Sequence, residues 1–241
     1  MHRFVVIVGL LLLHSTAGAE SLQFQSGPAQ TQMIELFTSE GCSSCPPAEA
    51  FLNSYADEKE LWHRYIPLAF HVDYWDYLGW KDPYADRANS RRQYLYAQLK
   101  KVSTVYTPGF IVNGKEWRGW RYQGIKPEAT RQVGNLQVSI EGDILKAAFD
   151  SLAKLERPLY LNYVILGMGL ETEIKAGENR GRRSRHDFVV LLHRRIASRG
   201  SEWQAALERV DTAARRQALV VWIEQAGDPA PLQAAGSYLD R

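Results

Sequence analysis

A short apolar segment that leads into a cysteine-containing turn, and then into a proline-led helix, most strongly constrains how this chain folds. The segment QMIELFT, residues 32–38, is predicted to be a buried strand because it is short, apolar and followed by a Ser-Glu-Gly turn signal. After Cys42 and Cys45, the sequence PPAEAFLNSYADE has apolar residues at helical spacing. Proline is tolerated in a first helical turn, and Ser43 or Ser44 is expected to cap the helix. The pattern therefore places both cysteines on a strand-to-helix turn.

The amino-terminal residues have the layout of a secretory signal peptide. Arg3 precedes an apolar run from Phe4 to Leu13, and Ala17-Gly18-Ala19 fits the small-residue cleavage pattern. The run is too short to span a bilayer, which takes about 20 residues. We therefore expect residues 1–19 to be removed, with an uncleaved anchor as the alternative. The mature protein is expected to be periplasmic or secreted, with no stable membrane anchor and an unstructured lead-in over residues 20–30.

Export widens the possible roles of the two cysteines, which are the only ones in the chain. An oxidising compartment permits a disulfide, although a domain of this size does not need one for stability. A Cys-x-x-Cys bridge closes so short a loop that chain entropy assigns it only about 2 kcal/mol. A redox-active pair therefore explains the spacing better than a structural clip does. A metal site and an inert remnant stay open as alternatives.

The predicted elements of residues 31–133 follow the order strand, helix, strand, helix, hairpin and helix. The second strand is YIPLAFHVD, residues 65–73, and the second helix is expected to begin with Asp82-Pro83 as cap and first turn. The strands GFIV and KEWRGW flank Asn113-Gly114, a strong hairpin signal. A closing helix is expected over KPEATRQV, residues 126–133.

From residue 134 onward the sequence is typical of a β-rich domain. Short strand-like segments alternate with turn signals, which favours a mainly antiparallel, β-sandwich-like domain over residues 134–241. The segments are LQVSIEGDILKAAF, LYLNYVILGM, LETEIKAG, DFVVLLHRR and ALVVWIEQ. The stretch SEWQAALERVDTAARRQ, residues 201–217, fits either a helix or a strand.

Three motifs together carry a family resemblance: the Cys-x-x-Cys turn, Thr107-Pro108 before a strand, and the VNG hairpin that follows. They resemble the thioredoxin-like superfamily over residues 31–130. The combination ELFTSEGCSSCPPAE, FHVDYWDYLGWKDP, TPGFIVNG and GENRG more narrowly resembles a family of exported bacterial proteins without an established function. The superfamily resemblance implies a thioredoxin-like α/β domain over residues 31–133. It also implies a cis peptide bond before Pro108, beside the cysteines.

Several positions depart from the thioredoxin pattern. Gly41 stands where thioredoxins have a tryptophan, and Leu36 stands at the position of their buried aspartate. Glu35 is adjacent, but strand alternation points its side chain to the other face of the sheet. The dipeptide between the cysteines is Ser43-Ser44. The direction of electron transfer and the proton acceptor are therefore not carried over from the superfamily.

The chemistry expected at the turn is thiol–disulfide exchange. A helix N-terminus offers unpaired N–H donors and a positive dipole end, which favour the thiolate of Cys42. Cys42 is expected to be exposed and to attack, and Cys45 to resolve the mixed disulfide. Pro108 lacks an N–H, so with Thr107 it is expected to offer a backbone edge to a peptide substrate. The expected partners are a protein or small-molecule thiol or disulfide and a redox partner protein, with no cofactor.

His71 and Asp73 end the second predicted strand, at the sheet edge that meets the cysteine turn. In one interpretation His71 tunes the pKa of Cys42. In another, Cys42, Cys45 and His71 bind a metal in a periplasmic carrier. A third interpretation is a hydrogen-bonded histidine without a functional role, because three ligands fall short of a closed zinc site.

Five aromatic residues between the second strand and the second helix form the densest aromatic group of the chain. They fit either a peptide-binding groove near the cysteines or a core beneath an inserted loop. The residues are Tyr74, Trp75, Tyr77, Trp80 and Tyr84.

A basic loop, GENRGRRSRHD at residues 177–187, fits either an anion-binding site or a solvated hairpin loop. The loop is too short and isolated to indicate nucleic-acid binding, and the net charge of the chain is only +2. A non-catalytic interaction module, in which the β-rich domain recruits a partner, is the remaining hypothesis.

Overall fold

The computed structural model describes residues 21–122, 124, 131–198 and 200–239. Within them lie two α-helices, α1 (Pro46–Asn53) and α2 (Arg87–Gln98). The described strands are β1 (Ser21–Gln25), β2 (Gln32–Thr38), β3 (Tyr65–His71), β4 (Gly109–Val112), β5 (Lys115–Trp117), β6 (Gly134–Glu141), β7 (Ile144–Ser151), β8 (Leu159–Met168), β9 (Leu170–Glu173), β10 (Arg183–His186), β11 (Val189–Ser198), β12 (Glu202–Ala206), β13 (Arg216–Gln225) and β14 (Pro231–Tyr238). None of the described helices is long and apolar enough to cross a membrane. The signal peptide predicted at residues 1–19 lies outside the described residues.

An eight-stranded mixed sheet, in the order β14-β13-β8-β11-β3-β2-β4-β5, forms the centre of the fold. Strand β3 runs parallel to both of its neighbours, β2 and β11. The remaining neighbouring pairs in this sheet are antiparallel. A four-stranded antiparallel sheet, β1-β6-β7-β12, and a two-stranded one, β9-β10, complete the described strands.

The two helices pack on opposite faces of the central sheet. Phe37 of β2 contacts the ring of Tyr96 in α2, whereas the next residue, Thr38, hydrogen bonds to Glu49 in α1. Successive side chains of a strand point to opposite faces, so a helix covers each side of β2. This arrangement explains why all seven residues of β2 are buried, and why its sequence is apolar without strict alternation.

The four-stranded sheet packs on the far half of the central sheet through a second apolar core. Leu161, Tyr163 and Ile165 of β8 belong to this second core, whereas Val164 and Leu166 belong to the core that surrounds the helices. The alternation along β8 therefore separates the two cores by the thickness of one sheet. Both faces of β8 are buried, which accounts for its nearly continuous apolar sequence.

The expectation of an unstructured lead-in over residues 20–30 is wrong for part of that segment. Residues Ser21–Gln25 form β1, which pairs with β6 at the edge of the four-stranded sheet. Leu22 and Phe24 pack against the second core. Their burial at period-2 spacing stabilises a strand that its polar composition did not indicate.

The second helix begins later than the sequence predicts. Asp86, not Asp82, is its N-cap, and its Oδ1 accepts a hydrogen bond from the N–H of Ala88 over 2.7 Å. Asp82 is buried instead, with its Oδ2 accepting a hydrogen bond from the backbone N–H of Glu40 over 2.8 Å. The Asp82 carboxylate therefore binds a backbone N–H distant in sequence and does not cap α2.

The ambiguous stretch at residues 201–217 contains strands and no described helix. Strand β12 pairs with β7, and β13 begins at Arg216. Of the helix expected over residues 126–133, residues 126–130 lie outside the described part of the chain. Residues 131–133 are irregular, with one bridge between Gln132 and Ala29.

The described chain is thus mostly antiparallel and mixed β-sheet with two α-helices. The central sheet takes β2, β3, β4 and β5 from before residue 133 and its other four strands from after it. The division into two domains at that residue stays a prediction.

Candidate functional site

The two cysteines lie on the turn between β2 and α1 and are joined by a disulfide. Cys45 occupies the N-cap position of α1 without a side-chain cap hydrogen bond, so neither Ser43 nor Ser44 caps the helix as expected. The two serines are exposed, whereas Cys42 is only 1% exposed and Cys45 is fully buried. The expectation that Cys42 is exposed is therefore wrong for this oxidised state.

A segment from the basic loop binds the backbone of the turn. We call residues 177–181 the clamp segment. Nδ2 of Asn179 donates hydrogen bonds to the backbone oxygens of Glu40 and Cys42, over 2.8 and 3.0 Å. A carboxylate oxygen of Glu178 accepts a hydrogen bond from the N–H of Ser43 over 3.3 Å. The GENRG motif therefore holds the cysteine turn, a role that the sequence analysis missed.

Trp75 connects the cysteine turn with the segment before Pro108. Its Nε1 donates a hydrogen bond to Oγ1 of Thr107 over 2.7 Å. Its Cβ would lie 3.0 Å from a Cβ added at Gly41, so its side chain passes directly against that glycine. The Thr107–Pro108 peptide bond is cis. An aromatic residue thus stands beside the first cysteine, although it comes from the loop after β3.

The predicted aromatic group does not line one surface. Tyr77 is 79% exposed, whereas Trp80 Nε1 donates a hydrogen bond to Glu40 over 2.7 Å. Tyr84 packs edge-on against the rings of His71 and His186. Two of the five aromatic residues therefore lie over buried polar side chains behind the cysteine turn.

Two of the auxiliary residues, Glu35 and Asp73, make contacts with α2. Glu35 is fully buried and accepts hydrogen bonds from Arg92 and Tyr96 on the helix, over 2.5 and 2.6 Å. Its side chain points away from α1, as strand alternation predicts. Asp73 accepts a hydrogen bond from the hydroxyl of Ser90. Both side chains therefore hold α2 in place.

His71 lies in a group of buried histidine and carboxylate side chains behind the turn. We call this group the buried network; its members are Glu40, Glu49, His71, Asp82 and His186. Nδ1 of His71 lies 2.7 Å from Oδ2 of Asp82. Burial, the largest effect, opposes the charged form of His71, but the carboxylates of Asp82 and Glu49 together outweigh it and raise the histidine pKa. The same pair lowers the pKa of Asp82 despite its burial.

His186 occupies the centre of the buried network. Its Nε2 lies 2.9 Å from Oε1 of Glu40, and its Nδ1 lies 2.8 Å from Oε2 of Glu49. Burial alone would lower the pKa of His186, but the two carboxylates raise it to about 10. Burial alone would raise the pKa of Glu49, but His186, together with His71 and Thr38, outweighs it and lowers this pKa.

Possible metal-ligating atoms of Glu49, His71 and His186 lie within 4.8 Å of one another. This grouping differs from the predicted set of Cys42, Cys45 and His71, since no cysteine belongs to it. The sequence analysis did not find Glu49 or His186. Glu49 lies one helical turn after Cys45, which is a usable signal, but His186 is 137 residues from Glu49 in the chain and no local pattern indicates the contact.

Comparisons with known proteins identify a family and a shared fold. A family model described as "Protein of unknown function (DUF1223)" matches residues 33–224. No curated protein matches the chain. The X-ray crystal structure of protein AGR_C_4864 from Agrobacterium tumefaciens is 23% identical, with a TM-score of 0.61 over 88% of this chain and 98% of that one. HBP35 of Porphyromonas gingivalis is 14% identical, with a TM-score of 0.54 over 90% of this chain and 77% of that one. At these identities the likeness shows the fold alone.

Proposed function

Because the chain belongs to the DUF1223 family, whose function is unknown, we propose an activity from its own residues: thiol–disulfide exchange at Cys42 and Cys45. The observation that carries this proposal is the disulfide between these cysteines at the N-terminus of α1. A pair at this position lies at the positive end of the α1 dipole, which favours the thiolate form that attacks disulfides.

The proposed reaction moves two electrons from the reduced pair to a substrate disulfide. The Cys42 thiolate attacks one substrate sulfur, which breaks the substrate disulfide and releases one thiolate. The Cys45 thiolate then attacks the Cys42 sulfur of the mixed disulfide, releasing the second substrate thiolate and closing the Cys42–Cys45 bond. The released thiolates take up protons from solvent, and the reverse sequence oxidises a substrate dithiol.

The arrangement around the pair supports a thioredoxin-like assignment for residues 31–133. Strands β3, β2, β4 and β5 are consecutive in the sheet, with α1 and α2 on opposite faces. The cis Thr107–Pro108 bond immediately precedes β4, which pairs with β2. We place the substrate backbone beside Pro108, where an extended peptide can pair.

We propose that the protein acts outside the cytoplasm. The apolar run and small-residue site within residues 1–19 support export, and an oxidising compartment suits a disulfide. The substrates would be protein or small-molecule thiols and disulfides, served by a separate redox partner. Recovery of the exported protein with Glu20 as its first residue tests this placement.

Redox titration of the native protein against glutathione tests the activity. We expect one two-electron transition, detected by alkylation of the free thiols at each potential. Cys42→Ser should abolish turnover of a model disulfide, and Cys45→Ser should accumulate a mixed disulfide at Cys42. Ser43→Ala, at an exposed position between the cysteines, is the matched control and should stay within about twofold of the parent.

Two results contradict the proposal. One is a pair that exchanges with glutathione only after denaturation, which would leave a buried structural disulfide and favour the interaction-module hypothesis. The other is turnover that survives Cys42→Ser. Stoichiometric metal in reduced protein, lost in the Cys42→Ser and Cys45→Ser variants, would instead favour the carrier built from Cys42, Cys45 and His71.

A further inference from the structure

Three potential ligands from three different elements converge behind the cysteine turn. Glu49 comes from α1, His71 from the end of β3 and His186 from the end of β10. All three residues are buried, and one potential ligating atom of each lies within 4.8 Å of the others. The rings of His71 and His186 are 5.2 Å apart between centroids. The fold therefore brings two imidazoles and one carboxylate together in its interior.

Two nitrogen atoms in this group lack hydrogen bonds. His71 is fully buried, and because its Nδ1 is directed at Asp82, its Nε2 has no hydrogen-bond partner. His186 Nδ1 lies close to Glu49, but the contact does not have hydrogen-bond geometry. Leaving a buried polar atom unsatisfied costs about 1–3 kcal/mol. Neither protonation state of His71 removes that cost, because no acceptor or donor faces its Nε2.

Each of the three side chains also has a second partner that orients it. Asp82 contacts Nδ1 of His71 at 2.7 Å, and Glu40 contacts Nε2 of His186 at 2.9 Å. The hydroxyl of Thr38 donates to Oε1 of Glu49 over 2.5 Å. A carboxylate on the far nitrogen of a ligating histidine fixes its tautomer and orientation in metal sites. These contacts leave His71 Nε2 without a partner, and His186 Nδ1 and Glu49 Oε2 face each other at 2.8 Å. A metal ion bound by all three atoms would replace the proton between His186 and Glu49.

We propose that Glu49, His71 and His186 bind a divalent transition-metal ion, with zinc as the best fit. Two imidazole nitrogens and one carboxylate oxygen form a three-ligand zinc set with a fourth position for water. Tetrahedral ligand atoms around zinc are about 3.3 Å apart, so small side-chain movements within the 4.8 Å grouping suffice. This site uses neither cysteine and does not depend on the proposed redox activity.

The oxidised protein, purified without a histidine tag, provides a direct test. With the Cys42–Cys45 disulfide intact, neither cysteine offers a thiolate, so any tight site must use other residues. After removal of metal by a chelator and dialysis, calorimetric titration with Zn²⁺ should show one equivalent bound. Cobalt(II) should give visible absorption of the intensity expected for a low-coordinate nitrogen and oxygen site.

Substitutions identify the ligands. Glu49→Gln and His71→Gln should each weaken zinc binding at least tenfold, and Asp82→Asn should weaken it about 10–100-fold through His71. His63→Gln, which removes an exposed histidine, is the matched control and should bind zinc as the parent does. Far-UV circular dichroism and urea midpoints establish that each variant is folded before its affinity is compared.

Two outcomes overturn the proposal. The first is the absence of stoichiometric zinc or cobalt binding in the folded, oxidised parent protein, which would leave the group as a proton-bridged ion network. The second is binding that folded Glu49→Gln and His71→Gln variants retain at full strength. Because the parent titration needs no substitution, a variant that fails to fold leaves the first criterion intact.

Discussion

The side-chain amide of Asn179 donates a hydrogen bond to the backbone oxygen of Cys42 over 3.0 Å, across 137 residues of sequence. The same amide donates to the oxygen of Glu40, so one buried side chain satisfies two carbonyls of the cysteine turn. The clamp segment thereby ties the backbone of the turn to the loop between β9 and β10. Because Cys42 is only 1% exposed, part of the structure around the turn must move before a substrate reaches its sulfur.

Asn179→Ala should loosen the turn and expose the disulfide. Loss of two hydrogen bonds to buried carbonyls should lower the free energy of unfolding by about 1–3 kcal/mol. If opening of the clamp segment limits access, reduction by dithiothreitol should become about tenfold faster. Arg180→Ala, at the exposed neighbouring position, is the control. Equal reduction rates in both variants would show that the segment does not gate the sulfurs.

Gly41→Ala should destabilise the protein by about 1–3 kcal/mol, because the space beside Gly41 is already filled. An added Cβ would lie 3.0 Å from Cβ of Trp75 and 3.3 Å from its backbone oxygen. Urea unfolding measures the effect. Gly200→Ala, where no heavy atom lies within 4 Å of the added Cβ, should leave the unfolding midpoint nearly unchanged. If Gly41→Ala left the unfolding midpoint unchanged, Trp75 would be free to move away from the added Cβ.

Arg92→Met should cost about 3–5 kcal/mol of unfolding free energy. The guanidinium group of Arg92 lies 2.5 Å from Glu35 and 2.8 Å from Glu224, and both carboxylates are almost fully buried. Removal of Arg92 leaves the buried Glu35 carboxyl group without its cation and leaves Glu224 with Arg195 alone, at 3.5 Å. Chemical denaturation monitored by tryptophan fluorescence, which reports on the adjacent Trp222, measures the loss.

The matched control for Arg92 is Arg118, whose pair with Glu116 lies at the surface. Arg118→Met should cost much less than Arg92→Met, because solvent already screens that pair. Adding Glu35→Gln to Arg92→Met should recover part of the loss by removing one unpaired charge. If both substitutions lowered the free energy of unfolding equally, burial of the Arg92 ion pairs would not account for their contribution to stability.

His193 should make the protein less stable as the pH falls below 6.5. Burial, together with Arg92, Arg195 and Arg194, lowers its pKa to about 3 in the fold. Between the unfolded pKa near 6.5 and this value, only the unfolded chain takes up the proton, so acid favours unfolding.

Uptake of one such proton by the unfolded chain lowers the free energy of unfolding by at most about 1.4 kcal/mol for each pH unit of acidification. Because the His193 residue is partly exposed, we expect about half of that slope. Comparison of His193→Gln with the parent isolates the effect, since the carboxyl groups titrate in both. The variant should lose less stability between pH 6.5 and about pH 5, whereas His63→Gln should follow the parent. Parallel pH profiles for the parent and His193→Gln would contradict this account.

Local patterns were sufficient for the elements around the cysteines. The apolar run of β2, the helix after Pro46-Pro47 and the Asn113-Gly114 hairpin depend on neighbouring residues, and each forms as predicted. Strand alternation also placed Glu35 on the face away from α1. These features follow from backbone preferences and side-chain periodicity alone.

Contacts between distant segments could not be predicted in this way. His186 and Asn179 reach the cysteine turn through strand pairings that no local pattern specifies. The same limitation affected Asp82, whose position before Pro83 fits a helix cap but whose carboxylate contacts His71. The burial of Cys42 was likewise not indicated by its position on the turn.

The long separation between Cys42 and Asn179 also sets an order of events during synthesis. A chain made from its amino terminus contains Cys42 137 residues before the asparagine that holds its turn, and Cys45 follows three residues later. At about 5–20 residues per second, this interval lasts roughly 7–27 seconds. Every molecule therefore passes through a period in which both thiols are uncovered. Oxidants and reductants that meet the chain before it folds therefore reach both thiols without displacing the clamp segment.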